Sequence, residues 1–152
     1  MWRVSDVLST IPSAPATDGD RTNPSRPRGT ILVVDDDERL LRVVGIYLSM
    51  EGYEVLSAAN GAAALAEVAR RKPDLIIMDI MMPVMDGIEA CTRIRADPAT
   101  ASLPVLLFSA LSSGHDAERA RLAGANHLIT KPFNLAGLVA IVGSFCADAG
   151  GD

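Results

Sequence analysis

Apolar and polar positions follow two periods in turn between residues 30 and 146. Five short runs rich in branched side chains read as strands: Thr30–Asp35, Glu54–Ala58, Leu75–Asp79, Val105–Ser109 and His127–Thr130. Continuous apolar runs of about four to eight residues mark strands buried on both faces. Between them apolar residues recur at helical spacing, over Glu38–Met50, Gly61–Arg71, Asp86–Ala96, about Ser112–Leu122 and Leu135–Cys146. In the first of these, "LLRVVGIYL" places its apolar residues on one stripe. Asp37 and Asp86 stand immediately before helical text, where a carboxylate accepts the orphan N–H groups of a first turn. Pro73 stops the second helix, and Gly124 follows the fourth where a C-terminal glycine belongs.

Regular alternation of strand and helix implies a parallel sheet with helices on both faces. The expected fold is a small doubly wound α/β domain with a five-stranded parallel sheet, over residues 29–147. A chain of 152 residues fits a single domain. Upstream the composition changes. "STIPSAPATDGDRTNPSRPRG" (Ser9–Gly29) has Ile11 as its only large apolar side chain. Such text buries too little surface to offset its ordering entropy, so residues 1–28 are expected to be a disordered leader. Residues 148–152 are expected to be a flexible C-terminus.

Charge and composition narrow the function. The net charge is −5, and no block of Lys or Arg stands out beyond the N-terminal tail, which argues against direct contact with nucleic acid. No apolar run approaches the roughly 18 residues of a membrane span. The apolar residues at the N-terminus are too scattered for a signal peptide, so a cytoplasmic location is expected. Cys91 and Cys146 have no companion ligand pair and read as small buried hydrophobes in a reducing compartment.

The chemistry sits where the strands end. The first strand runs into Asp35 and Asp36, the third ends in Asp79, the fourth in Ser109, and Lys131 follows the fifth. The second ends in "SAAN" and offers nothing ionisable. Ligands of open α/β sheets bind beyond the carboxyl ends of the strands, at the switch point in strand order. If the order is 2-1-3-4-5, the second strand is an edge and the other four ends share one crevice. Two like charges about 4 Å apart repel by roughly 4 kcal/mol at an effective dielectric of about 20. A cation that offsets this repulsion explains the acidic run. Asp36 and Asp79 are hard oxygen ligands suited to Mg²⁺, and Asp35 can hold a water of the ion's hydration shell behind them. A carboxylate can also attack phosphorus to give an acyl phosphate, whose oxygens a hydroxyl (Ser109) and an ammonium (Lys131) can contact.

Taken together, "VVDDD", "DIMMPVMDG", "LLFSA" and "ITKPF" resemble the receiver domain of two-component response regulators, of the stand-alone, chemotaxis-regulator-like kind. The resemblance covers Thr30 to about Cys146. It implies the flavodoxin-like strand order 2-1-3-4-5, with Asp79 as phosphoacceptor and Asp35 and Asp36 as the acid pair. It also implies the backbone carbonyl of Met81 as a further Mg²⁺ ligand, and Ser109 and Lys131 as the switch hydroxyl and lysine. The Lys131–Pro132 bond falls at the family's cis-proline position. The implied phosphodonor is a sensor histidine kinase or a histidine phosphotransfer protein. On this reading the chain is not an enzyme acting on outside substrates but a phosphoacceptor that catalyses its own phosphorylation and slow dephosphorylation. Slowness is expected because Met81 and Leu111, two residues beyond Asp79 and Ser109, are apolar and cannot orient a water. One departure stands three residues before Lys131, where the family often carries an aromatic residue and this chain has Leu128. Coupled rotation of such a ring with the switch hydroxyl cannot occur here in the same form.

Other functions fit less of the text. "VVDDDER" also suits the start of a haloacid-dehalogenase-type phosphatase, with Asp35 as nucleophile and Asp37 as general acid. Against it, Arg39 replaces the usual small hydroxyl and no acidic pair follows the lysine. A phosphorylation-independent adaptor would lack one of the acids, the hydroxyl or the lysine, and flavin binding would need a Ser/Thr-rich loop after the first strand. With no residue after Asp152, the expectation is a receiver acting alone. It would signal by phosphorylation-dependent binding of an output protein or by passing its phosphoryl group onward, without direct contact with nucleic acid or membrane.

Overall fold

Runs such as "ILVV" and "LIIM" offer a polar side chain to neither face, so both faces of their strands must be covered by other elements. The computed structural model describes residues 27–110 and 114–150. Among these residues five strands, β1 (Thr30–Val34), β2 (Glu54–Ala58), β3 (Leu75–Asp79), β4 (Val105–Ser109) and β5 (His127–Thr130), alternate with five helices. These are α1 (Glu38–Met50), α2 (Gly61–Arg71), α3 (Gly87–Ala96), α4 (Gly114–Ala123) and α5 (Leu135–Gly150). The sheet is parallel throughout, in the order β2-β1-β3-β4-β5.

Period-two alternation divides the core into two layers. Ile31, Val33, Leu75, Ile77, Leu106 and Phe108 face α1 and α5, where Val44, Leu48, Leu138 and Val142 meet them. Leu32, Val34, Ile76, Met78, Val105 and Leu107 face Ala64 and Val68 of α2, Ala90 and Ile94 of α3, and Ala120 of α4. Every residue of β3 and β4 is buried. This is the doubly wound architecture expected from the strand–helix alternation.

Several boundaries differ from the sequence reading, each for a local reason. Asp35 lies one residue past β1: its N–H still donates to Ala58 O at 3.1 Å, but its side chain turns to the loop and accepts Asp37 N–H at 2.9 Å. Asp86 caps α3, as its place before helical text suggested, accepting Glu89 N–H at 2.8 Å, so the helix itself begins at Gly87. Asp37 caps α1 as its position suggested, accepting from Arg39 and Leu40. Lys72 closes α2 in a left-handed conformation (φ 49°) directly before Pro73, and Gly124 follows α4 at φ 92°. The last helix continues beyond Cys146 to Gly150, since "ADAG" contains no proline to stop it. Ser112, the expected start of α4, lies outside the described residues, as do residues 1–26 of the expected leader and residues 151–152. Arg28, which the composition groups with the leader, is part of the fold: its N–H donates to Gly52 O at 2.8 Å and its guanidinium lies 4.8 Å from the centre of the Tyr53 ring.

Candidate functional site

Strand register brings the polar strand ends together one step at a time. Val34 pairs with Met78, so Asp35, just past β1, and Asp79, the last residue of β3, stand side by side. Asp79 pairs with Phe108, which puts Ser109 one step further along β4. Ser109 pairs with Thr130, so Lys131 follows one step beyond β5. All four positions lie at the carboxyl edge of the sheet, and β1 and β3 flank the point where the strand order reverses.

Three carboxylates gather there. Asp35 is 1% exposed and Asp79 6%, while Asp36 is open to solvent. One oxygen from each of Asp35, Asp36 and Asp79 lies within 4.8 Å of the other two. Lys131 reaches across from β5, with Nζ 2.9 Å from Asp35 Oδ2 and 3.2 Å from Asp79 Oδ1. Its ammonium also lies 5.5 Å from the centre of the Phe108 ring, which stacks on Phe133 at 4.8 Å and so walls the lysine on its apolar side. Three carboxylates face one ammonium, so the ionised cluster keeps excess negative charge. Burial raises the pKa of Asp79, Asp35 beside it adds to the rise, and Lys131 opposes both. For Lys131 burial acts downward, but the hydrogen bond to Asp35 and the charges of Asp79 and Asp35 outweigh it and raise its pKa.

A group of hard oxygen donors this close, open to solvent on the Asp36 side and short of positive charge, fits a divalent cation such as Mg²⁺. Beside it, an open crevice of about 410 Å³ is lined by Leu40 and Val43 of α1, by Lys131–Phe133 and by Leu135. The Lys131–Pro132 peptide is cis.

Among the described residues no hydrogen bond joins Ser109 to the three acids. It is fully buried at the end of β4, and its hydroxyl donates to Asp116 Oδ2 at 2.7 Å. Asp116, in the first turn of α4, was not singled out by the sequence; an acid in a first turn reads as an ordinary partner of the helix dipole. Met81 lies in the β3–α3 loop with its side chain 69% exposed, and Leu111 lies outside the described residues. Leu128 packs partly buried against the layer that contains α4. Asp37 is engaged with its helix rather than with the cluster, which removes the general acid that the phosphatase alternative requires. His115 and His127 are exposed, and Cys91 and Cys146 are buried free thiols.

The site and fold have close counterparts. The family model described as "Response regulator receiver domain" matches residues 31–143. Response regulator PleD of Caulobacter vibrioides is 43% identical over 104 residues, which cover 68% of this chain and 23% of PleD. Transcriptional regulatory protein PrrA of Mycobacterium tuberculosis is 42% identical over 121 residues, or 80% of this chain and 50% of PrrA. The chain thus spans half or less of the length of these two curated relatives. Among solved structures, a putative response regulator from Chloroflexus aurantiacus superposes with a TM-score of 0.76 at 36% identity, covering 80% of this chain and 99% of that one. No helix among the described residues is long and apolar enough to cross a membrane. With the acidic cluster, the strand order and these matches in agreement, the chain belongs to the response regulator receiver domain family.

Proposed function

We propose that the chain accepts a phosphoryl group on Asp79 from a phosphohistidine donor and signals by phosphorylation-dependent binding or by onward transfer. The observation that carries this reading is the convergence of Asp35, Asp36, Asp79 and Lys131 at the carboxyl edge of the sheet. An Asp79 carboxylate oxygen attacks the donor phosphorus. The new O–P bond forms as the P–N bond breaks, and the imidazole leaves with the electron pair and takes up a proton.

Asp36 and Asp79, with the Met81 carbonyl, would hold Mg²⁺, and Asp35 would support it from behind. When bound, the ion neutralises charge on the phosphoryl oxygens. Lys131 lies 3.2 Å from Asp79, in position to move from the free carboxylate to a phosphoryl oxygen after transfer. Ser109 would supply a hydroxyl to another of those oxygens. The donor, a sensor histidine kinase or histidine phosphotransfer protein, would approach over Asp36, the most exposed of the three acids. The exposed, apolar side chain of Met81 supports slow self-dephosphorylation, since it cannot orient a water. A cytoplasmic setting goes with such a donor.

The test is incubation with acetyl phosphate and Mg²⁺, read by intact mass. Wild type should gain one phosphoryl group, and Asp79→Asn should gain none, because an amide cannot form the acyl phosphate. An adduct of undiminished stoichiometry in Asp79→Asn would assign the chemistry elsewhere.

A further inference from the structure

The hydroxyl of Ser109 is engaged by a contact with no part in the reading above. Its backbone is fixed to the end of β5, for its carbonyl accepts Lys131 N–H at 2.7 Å and it pairs with Thr130. Its hydroxyl donates to Asp116 Oδ2 at 2.7 Å, seven residues along the chain and on a different element. The other oxygen of Asp116 lies 3.6 Å from Arg119 Nη1, one turn further along α4. Asp116 therefore ties the end of β4 to the first turn of α4 and is itself braced by that helix.

A serine hydroxyl carries one proton. Given to Asp116, that proton cannot also be given to a phosphoryl oxygen on Asp79. We propose that Asp116 is a positioning residue that holds the Ser109 hydroxyl toward α4 in the unphosphorylated chain, so that a phosphoryl group on Asp79 must compete with it. This inference rests on the proposed role of Asp79. Competition favours the phosphoryl group when present, because a phosphoryl dianion is a more highly charged acceptor than one carboxylate. The hydrogen bond from Ser109 to Asp116 then breaks as the one from Ser109 to the phosphoryl oxygen forms. Asp116 keeps Arg119, and the first turn of α4 loses this hydrogen bond to the end of β4. The occupancy of Asp79 is thereby reported at α4 through a single proton. Leu128, on the neighbouring strand, has no ring that could turn with the hydroxyl, so the report runs through Asp116.

The arrangement makes an unusual demand: removing an acid should favour the activated state. The experiment is a double-mutant cycle on the full chain, with beryllofluoride and Mg²⁺ titrated by calorimetry as the stable phosphoryl mimic. Asp116→Ala should bind the mimic about tenfold more tightly than wild type, the equilibrium equivalent of one lost competing hydrogen bond. In a Ser109→Ala background the same substitution should change affinity less than twofold. Backbone amide shifts of residues 117–123 in mimic-free Asp116→Ala should move toward their positions in mimic-bound wild type. Melting temperatures check folding, and Asp116→Asn, which keeps the shape but not the charge, serves if the alanine variant does not fold; it should tighten binding in the same direction. Equal tightening in both backgrounds, or none in a folded variant, overturns the inference while leaving Asp79 untouched. If wild type itself neither binds the mimic nor gains a phosphoryl group on Asp79, the reading of the site fails and this inference with it.

Discussion

Asp36 and Asp37 are neighbours of identical chemistry with opposite employment. Asp37 accepts Arg39 N–H at 3.0 Å and Leu40 N–H at 3.4 Å, so its charge is spent on the first turn of α1. Asp36 stays with Asp35 and Asp79. Removing an N-cap carboxylate costs about 1 kcal/mol. Asp37→Ala should therefore lower stability in urea by about that amount and leave Mg²⁺ affinity nearly unchanged, whereas Asp36→Ala should weaken Mg²⁺ binding several-fold. A titration that ranks them the other way would mean that the ion sits on the helix side of the strand end. The thiols allow a second prediction. Burial pushes Cys146 up to about 11, with Asp74 adding to the rise and Arg28 opposing it, and burial likewise raises Cys91. At pH 8 iodoacetamide should label neither cysteine in the folded protein and both in denaturant. Because the folded state holds the Cys146 proton more tightly than the unfolded chain, its contribution to stability is complete below the ordinary thiol pKa near 9. It should decline as pH rises toward about 11. At this scale the acids and the lysine were legible because unusual charge at a strand end is visible in one dimension. The partner of Ser109 was not, because seven residues of spacing across a strand end and a helix start say nothing about contact.

Among the elements, the loop from β3 to α3 does most to shape the site. Val84 adopts φ 72°, a rare conformation for a β-branched residue, in a three-residue turn closed by Met85 N–H donating to Pro83 O at 2.7 Å. Met85 O then accepts Gly61 N–H at 2.9 Å, which fastens the loop to the start of α2. Gly87 N–H returns to Ile80 O at 2.9 Å, so the loop ends against the strand it left. That return is close. A Cβ on residue 87 would overlap the carbonyl oxygen of Asp79, a contact that backbone must move to relieve. Gly87→Ala should therefore destabilise the domain by about 2 kcal/mol or more, as overpacking a fixed backbone does. It should also slow phosphorylation by acetyl phosphate, because the atoms that shift belong to Asp79. Normal phosphorylation in a destabilised variant would mean that α3, not β3, absorbs the displacement. The glycine of "MDG" could be read as a helix start, but its reason is a distance between two elements that no local pattern contains.

For the whole molecule, strand–helix alternation was enough to anticipate a sheet covered on both faces, because the central runs of β1, β3 and β4 lack a polar side. Composition served less well at the edge of the domain, since it grouped Arg28 with the proline- and serine-rich text before it. Arg28 instead donates from Nη1 to Glu51 O at 3.0 Å, lies 3.9 Å from the Glu51 carboxylate and stacks over Tyr53. Its backbone N–H extends the pairing of the β1–β2 edge to Gly52. An exposed ion pair contributes little, but a cation over a ring contributes about 0.5–1 kcal/mol and each hydrogen bond about as much. Two truncations separate the leader from this anchor. Deleting residues 1–26 should leave melting temperature and phosphorylation unchanged, because the Pro/Ser/Thr-rich text of residues 9–26 has only Ile11 to offer a core. Deleting residues 1–28 should lower stability by about 1–2 kcal/mol, a fall of several degrees in melting temperature, with Asp79 still phosphorylated. Arg28→Ala in the full chain should reproduce the side-chain part of that loss. If the shorter deletion already causes the whole fall, residues 1–26 contribute to the fold and the domain begins before Arg28.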